Sequence, residues 1–175
     1  TCNHFTCDAP LNGTADEVTY AGVKLKDVLI YTVQGGLNIF NDIQYGIYSE
    51  GNGAYIGVQN MVFQRIKRDG IYMEYGYLDL ESSQFENCEE KGVNIANAIN
   101  VAISGNCNFY WDESLPDLIG SNYRDGIYVG SFAASSRMTV EDCSFSSNLS
   151  STFKKIKGIN LKGGDVGAGT EIIIT

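Results

Sequence analysis

Two carboxylate residues, Asp79 and Glu81, stand two positions apart in the segment YLDLESS and alternate with leucines. In a β-strand such residues project from the same side and lie about 6.5–7 Å apart along the strand. An inverting glycosidase uses two carboxyl groups at about that separation, one as general acid and one as general base toward water. The pair is therefore a candidate catalytic site. The alternative is a solvated face of an acidic protein.

A second set of chemically useful groups lies in the segment YWDESLPDLIGSNYRD. It contains the only tryptophan, Trp111, next to Tyr110, Asp112 and Glu113. Aromatic rings pack on the apolar faces of sugars, and carboxylates accept hydrogen bonds from hydroxyl groups. We therefore predict an inserted loop that contacts a glycan. The alternative is that Trp111 anchors the loop on the body of the protein or fills a contact between subunits.

Two tyrosines, Tyr72 and Tyr128, occupy the same place in the repeated segments RDGIYM and RDGIYV. Glu74 follows the first of them by two positions and is expected on the same side of the strand. We interpret Tyr72, Tyr128 and Glu74 as a further sugar-binding surface. The alternative is that the tyrosines are ordinary exposed strand residues or part of a subunit contact.

Several other kinds of chemistry are excluded or disfavoured by composition. The single histidine, His4, excludes most histidine-based triads and histidine-rich metal sites. No P-loop, CxxC or HExxH motif occurs, and we predict neither a metal ion nor a cofactor. The formal net charge of −9 disfavours nucleic acid as a partner. No apolar run approaches the roughly 18 residues of a membrane-spanning helix, so we expect no membrane insertion.

The five cysteines are too few and too scattered for a disulfide scaffold. Cys2 and Cys7 are close enough in sequence to pair, or they are two free thiols. Cys88, Cys107 and Cys143 lie in apolar patterns that are typical of buried thiols.

The elements that must position these residues are repeats. Each stretch reads apolar-x-apolar, two spacers and apolar-x-apolar, and most add Gly-apolar-x-apolar. The stretches begin at Val23, Ile56, Leu78, Val101 and Met138, so two of the steps are 22 and 23 residues long. Alternation with period two predicts strands, and three strands per repeat fit one turn of a parallel β-helix.

Alignment of the repeats predicts an apolar and aromatic column in the interior. Its members are Ile30, Phe63, Phe85, Phe109 and Phe145. A second inward column of smaller groups contains Val28, Met61, Ser83, Cys107 and Cys143. We predict an all-β fold, a single-stranded parallel β-helix of about six rungs with loop insertions, rather than an antiparallel β-sandwich.

We predict an N-terminal extension or cap over residues 1–21 and a β-helix domain over residues 22–175. A short stack of rungs has two ends whose unpaired backbone groups invite further pairing, and no convincing cap is visible. We therefore expect the chain to be a segment of a longer fibre or spike, or one part of an oligomer.

The turns FENCEEKGVNI and VEDCSFSSN, together with RDGIYM and RDGIYV, resemble the right-handed parallel β-helices of the pectate-lyase-like superfamily. Within it the chain is most similar to trimeric tailspikes and appendages of bacteriophages, over about residues 23–174. The resemblance implies a right-handed helix, a homotrimer and a place on the virion tail or outside the cell. It also implies binding, and in many members cleavage, of a host surface polysaccharide by a glycoside hydrolase or lyase activity.

The enzyme motifs of this superfamily are mostly missing. The tripeptide RIK at residues 65–67 is similar to one in polygalacturonases, but the upstream Asn-Thr-Asp, Asp-Asp and Gly-His-Gly elements do not occur. Three hypotheses therefore stay open: a tailspike-like polysaccharide-binding protein or depolymerase, a non-enzymatic structural shaft of a virion, and a free-standing bacterial polysaccharide lyase or epimerase. An exposed groove lined by Trp111 and two carboxylates would favour the first hypothesis. Burial of Trp111, Tyr72 and Tyr128 in a three-fold contact would favour the second.

Overall fold

Every strand in the computed structural model pairs in parallel with its neighbours, and the sheet curves through about 284° round one axis. The structure describes residues 6–8, 21–26, 30–51, 53–112, 123–148, 155–162 and 169–175. These ranges are all-β and contain no helix, and hence none that could span a bilayer. The strands are β1 (Thr6–Asp8), β2 (Ala21–Lys26), β3 (Ile30–Asn41), β4 (Tyr45–Glu50), β5 (Ala54–Gln64), β6 (Asp69–Glu81), β7 (Gln84–Glu86), β8 (Lys91–Ser104), β9 (Asn108–Trp111), β10 (Tyr123–Val140), β11 (Ser144–Ser147), β12 (Lys155–Leu161) and β13 (Glu171–Ile174).

The parallel pairs form three ladders. Ladder 1 contains β2, β4, the first halves of β6, β8 and β10, and β12. Ladder 2 contains the first halves of β3 and β5, the second halves of β6, β8 and β10, and β13. Ladder 3 contains β1, the second halves of β3 and β5, and β7, β9 and β11. The chain visits the ladders in this order and then returns to the first, so it coils round the axis and each turn lies on the one before.

Parts of the predicted extension and insertions lie outside the described residues. Within residues 1–21, the strand Thr6–Asp8 pairs with Ile39–Asn41 and so belongs to the sheet. The sequence predicts insertions over residues 110–125 and 149–157, but residues 110–111, 123–125 and 155–157 belong to strands β9, β10 and β12, and residues 113–122 and 149–154 lie outside the described ranges.

A column of stacked phenylalanine rings fills the interior beside ladder 3. Its members are Phe40, Phe63, Phe85, Phe109 and Phe145, with neighbouring ring centroids 4.6–5.2 Å apart. The sequence prediction placed Ile30 at the start of this column, and that position is wrong. Phe40 pairs with Phe63, whereas Ile30 pairs with Tyr55 in ladder 2.

Glycine recurs at the beginning of ladder 1 because the phenylalanine rings occupy the space of a side chain. A Cβ atom on Gly92 would lie 2.6 Å from Cδ1 of Phe109 and 2.8 Å from the carbonyl oxygen of Gly126. A phenylalanine ring is equally close to the corresponding position at Gly22, Gly46, Gly70 and Gly126. The repeated glycines and the aromatic column therefore depend on each other, because each ring packs against a glycine that has no side chain.

The first predicted repeat, which begins at Val23, has the wrong register. Val23 pairs with Ile47 in ladder 1, whereas Ile56 pairs with Tyr31 in ladder 2. The later steps are confirmed by the pairs Ile56↔Leu78, Leu78↔Val101 and Val101↔Met138.

Two of the corners between ladders are formed by residues with positive φ. After ladder 2 these are Asn60, Ser82, Asn106 and Asp142, and after ladder 3 they are Asp42, Arg65 and Asn87. Asparagine and aspartate adopt the left-handed conformation more readily than most residues, which explains their recurrence there. Arg65 is held at its corner because its Nε donates a hydrogen bond of 2.8 Å to Oδ1 of Asp42.

Charges alternate along the start of ladder 1. The residues paired in succession are Asp69, Lys91, Asp125 and Lys157. Asn94 donates a hydrogen bond of 2.9 Å to Asp69, and Asn160 donates one of 3.0 Å to Asp125. Opposite charges directly across a strand pair are favourable and like charges are unfavourable, so this order supports the observed register.

Candidate functional site

The residues proposed from the sequence lie on three different ladders and do not converge on one site. Asp79 and Glu81 lie on ladder 2, Tyr72, Glu74 and Tyr128 lie on ladder 1, and Tyr110 and Trp111 lie on ladder 3 with Asp112 immediately after.

Trp111 is a core residue, and its prediction as a glycan contact is corrected. Its side chain is 1% exposed, and its indole Nε1 donates a hydrogen bond of 3.0 Å to the carbonyl oxygen of Cys88. Because Trp111 follows Phe109 by two positions, both side chains point inward from β9. An indole buried in this way has no free face for a sugar ring, and Trp111 anchors the end of ladder 3.

The other residues of that segment lie near the same corner. Tyr110 is half-buried and pairs with Glu86 and Ser146 in ladder 3. Asp112 accepts a hydrogen bond of 2.8 Å from Asn148, and its backbone N–H donates one of 2.6 Å to Asn87. These contacts hold the corner together. Glu113 lies outside the described residues.

Tyr72 and Tyr128 lie in one outward row of ladder 1, separated by Asn94. The ring of Tyr72 stacks on Tyr48 with centroids 4.9 Å apart, and Nζ of Lys91 lies 5.2 Å from the Tyr128 centroid. Both tyrosines are half-buried in these contacts. Glu74 is exposed, and its Oε2 accepts a hydrogen bond of 2.8 Å from the backbone N–H of Gly51.

Asp79 and Glu81 both project from the outer side of ladder 2 and alternate with the buried residues Leu78 and Leu80. Ladder 2 presents three outward rows that run across the strands. The first row contains Tyr55, Tyr77, Asn100, Arg137 and Glu171. The second contains Thr32, Gly57, Asp79, Ala102 and Thr139. The third contains Gln59, Glu81 and Ser104.

The middle row forms the floor of a groove because its side chains are short. Gly57 and Ala102 flank Asp79, and each of them lines one of two depressions beside it. The two depressions that result have volumes of about 240 and 410 Å³ and share Tyr55 and Asp79. We call this feature the ladder-2 groove. It is a shallow, open channel across several strands rather than an enclosed pocket.

The carboxylates of the ladder-2 groove are held by hydrogen bonds from the neighbouring strand. The hydroxyl of Tyr55 donates a hydrogen bond of 3.1 Å to Oδ2 of Asp79, and Nε2 of Gln59 donates one of 2.9 Å to Oε2 of Glu81. Partial burial and the contact with Asp79 both raise the pKa of Tyr55. The carboxylates are thus fixed hydrogen-bond acceptors beside an aromatic ring.

The first row forms the taller wall of the groove. Tyr77 is 36% exposed, which makes it one of the few large hydrophobic side chains that face solvent in the part of the chain that the structure describes. Asn100 accepts a hydrogen bond of 2.9 Å from the backbone N–H of Arg137, and the Arg137 guanidinium lies 3.4 Å from the Glu171 carboxylate. The wall therefore combines aromatic surface, an amide and a paired cation.

The groove contains residues that the sequence interpretation did not select: Tyr55, Gln59, Tyr77, Asn100 and Arg137. The 22-residue step that aligned the interior also aligns these outward positions, so it could have identified them. Among the described residues no cluster of histidine, cysteine, aspartate or glutamate could hold a metal ion. Comparison of the chain with protein families, characterised proteins and solved structures finds no match.

Proposed function

We propose that this chain is a tailspike-like, right-handed parallel β-helix of about six rungs that binds a host surface polysaccharide along the ladder-2 groove. The observation that carries the proposal is the groove itself, which combines two tyrosines with two positioned carboxylates on a rigid face. The proposal includes a homotrimer that acts outside the cell on a virion tail. It includes neither nucleic acid nor membrane insertion.

The helical architecture is supported by the order in which the chain visits its ladders. Each return to a ladder adds a parallel strand next to the previous one. Connections between parallel strands of one sheet are right-handed in the great majority of proteins, which favours a right-handed coil. Each turn can bury its inner side only against its neighbours, as in other solenoid proteins.

The dimensions of the groove suit an extended oligosaccharide. Its floor from Thr32 to Thr139 crosses four strand spacings, which is on the order of 19 Å. Tyr55 and Tyr77 provide faces on which sugar rings pack. Asp79, Glu81 and the nearby amides provide acceptors and donors for hydroxyl groups.

The charge of the groove favours a neutral or amino-sugar polymer over a polyuronate. Asp79 and Glu81 lie at its centre, and the protein as a whole carries a net charge of −9. Arg137 is already paired with Glu171 and compensates little of this negative charge. A polymer with a carboxylate on every sugar would be repelled electrostatically.

Cleavage of the bound polymer is the second candidate function, and the spacing of the two carboxylates favours it. Residues two apart on one strand are separated by about 6.5–7 Å, which falls within the range of inverting glycosidases and exceeds that of retaining ones. We therefore expect any cleavage to invert the anomeric configuration.

Binding is tested by titration of the protein with a panel of neutral, amino-sugar and uronate-containing bacterial polysaccharides. Tyr77→Ala should weaken binding about fivefold to tenfold, because a ring that packs on a sugar contributes about 1 kcal/mol. Tyr128→Ala is the matched control, since it removes an outward tyrosine from ladder 1. Equal losses in both variants, or a preference for uronates, would contradict the proposed groove.

Cleavage is tested by the size distribution of any polysaccharide that binds. Shortening by the native protein that is lost in both Asp79→Asn and Glu81→Gln would establish these residues as the catalytic pair. Retained binding without shortening would leave a pure binding protein. Absence of binding to every polysaccharide, with the fold intact by circular dichroism, would favour a structural shaft.

A further inference from the structure

Two cysteines lie one above the other where ladder 3 begins. Cys107 directly precedes Asn108 and Cys143 directly precedes Ser144, and Asn108 pairs with Ser144. The backbone N–H of Ser144 donates a hydrogen bond of 2.9 Å to the carbonyl oxygen of Cys107. Neighbouring parallel strands are about 4.8 Å apart, which falls within the Cα separation of about 4.4–6.8 Å found in disulfides.

The two thiols also lie close to adjacent backbone carbonyls. Both are free; Sγ of Cys107 lies 3.3 Å from the carbonyl oxygen of Ser104, and Sγ of Cys143 lies 3.8 Å from that of Ile103. The interaction between the two side chains lowers the pKa of Cys107 and raises that of Cys143. The backbone N–H of Ser83 also lies 3.5 Å from Sγ of Cys107 and favours its thiolate.

Access to solvent differs among the cysteines of the described part of the chain. Cys143 is partly exposed, Cys107 is fully buried beneath it, and Cys88 is buried elsewhere with an exposure of 1%. A small reagent can therefore reach Cys143 from solvent, and Cys107 can react only through it. Cys88 is enclosed in the core, so a reagent in solution does not reach its thiol, and burial also raises its pKa.

We propose that Cys107 and Cys143 form a reversible disulfide that joins two successive turns of the chain. The oxidant is a low-molecular-mass disulfide such as oxidised glutathione. The pair of thiols loses one proton, and attack occurs through the exposed sulfur of Cys143 while the remaining proton stays on Cys107; the attack on one sulfur of the oxidant expels one glutathione thiolate and leaves a mixed disulfide on Cys143. The Cys107 thiolate then attacks Sγ of Cys143 and expels the second glutathione thiolate. The two protons of the protein thiols end on the two glutathione molecules, and a dithiol reductant reverses the reaction.

The bond would close the loop between residues 107 and 143. A cross-link over a loop of this length restricts the unfolded chain more than the folded one. The disulfide therefore stabilises the two turns of the chain that it joins.

The experiment is to incubate the folded native chain with oxidised glutathione at pH 8, block the remaining thiols and map the peptides by mass spectrometry. We expect a linked peptide pair that contains Cys107 and Cys143 and disappears after treatment with dithiothreitol. The oxidised protein should have a Tm roughly 5–10 °C above that of the reduced protein.

Cys88→Ser is the matched control and should give the same yield of the linked pair, whereas Cys143→Ser should abolish it. Peptide mapping separates this bond from any bond between Cys2 and Cys7. A stable glutathione adduct on Cys143 without the linked pair would overturn the proposal. So would a bond that forms only in urea, or one that lowers the Tm.

Discussion

The free energy of unfolding should contain a component that decreases between about pH 4 and pH 6, and Asp69 is its source. Its side chain is 1% exposed on ladder 1. Burial raises its pKa from 3.8 to about 6, although Lys91 and the hydrogen bond from Asn94 act in the opposite direction. The folded protein therefore keeps this proton at pH values where the unfolded chain has lost it.

The size of this component follows from the difference between the two pKa values. Each pKa unit corresponds to 1.36 kcal/mol, so the folded pKa of about 6 and the ordinary value of 3.8 correspond to about 3 kcal/mol. Below pH 3.8 both states are protonated and this stabilisation is fully present. As the pH rises toward 6 the folded state binds more protons than the unfolded state, so stability decreases. Above pH 6 both states are ionised and the loss is complete.

The assay is urea unfolding of the native protein and of Asp69→Asn from pH 4 to pH 8, followed by the fluorescence of the single tryptophan, Trp111. Asparagine keeps the shape of the side chain and an acceptor for Asn94 but does not titrate. The stability of the variant relative to the native protein should rise with pH by up to about 3 kcal/mol, with a midpoint near pH 5. Lys91→Met should move that midpoint upward, because Lys91 lowers the pKa of Asp69.

The result that would refute this reasoning is a difference between native protein and Asp69→Asn that does not change with pH, or one that changes in the opposite direction. A constant difference would mean that Asp69 is solvated or that Lys91 and Asn94 fully offset its burial, and a reversed one would mean that they outweigh burial and lower its pKa.

Three further predictions concern the aromatic column and the groove. Phe85→Ala should lower the free energy of unfolding in urea by about 3–5 kcal/mol, because it leaves a cavity in a continuous stack; a loss below about 1 kcal/mol would show that the stack collapses to fill it. Gly92→Ala should cost about 1–3 kcal/mol in the same assay, because the new methyl group meets the ring of Phe109. Ala102→Leu should leave the Tm nearly unchanged but weaken polysaccharide binding at least tenfold, since Ala102 is exposed and its larger replacement fills the floor beside Asp79. Unchanged affinity would place the binding site elsewhere.

The register of most of the fold could be predicted because the interior aromatic residues recur with the strand spacing. Phe63 and Phe85 are each followed seven residues later by a glycine, Gly70 and Gly92, so the two repeats can be aligned in only one way. The predicted register of the first repeat, which begins at Val23, is wrong because strands in all three ladders show the same alternation with period two. Val23 follows Gly22, and that glycine places it in ladder 1, where a phenylalanine ring occupies the side-chain space. The prediction used the alternation and not the glycine.

The candidate site was predictable only in part. The outward placement of Asp79 and Glu81 follows from their alternation with Leu78 and Leu80, and the structure has them there. Trp111 was assigned to a loop because charged residues follow it. It lies two positions after the inward residue Phe109, and this spacing in a strand indicates an inward side chain. The groove depends on the short side chains next to Asp79 on neighbouring turns, and these are distant in sequence.

The alternating charges on ladder 1 also restrict how a chain of this kind can change its length. Duplication of a single turn would set two aspartates or two lysines side by side, and like charges in that position are unfavourable. Duplication of two turns, such as the unit that carries Asp69 and Lys91, would keep every neighbour oppositely charged. Evolutionary growth or loss in this part of the molecule is therefore expected to proceed by pairs of turns, so that length variants differ by an even number.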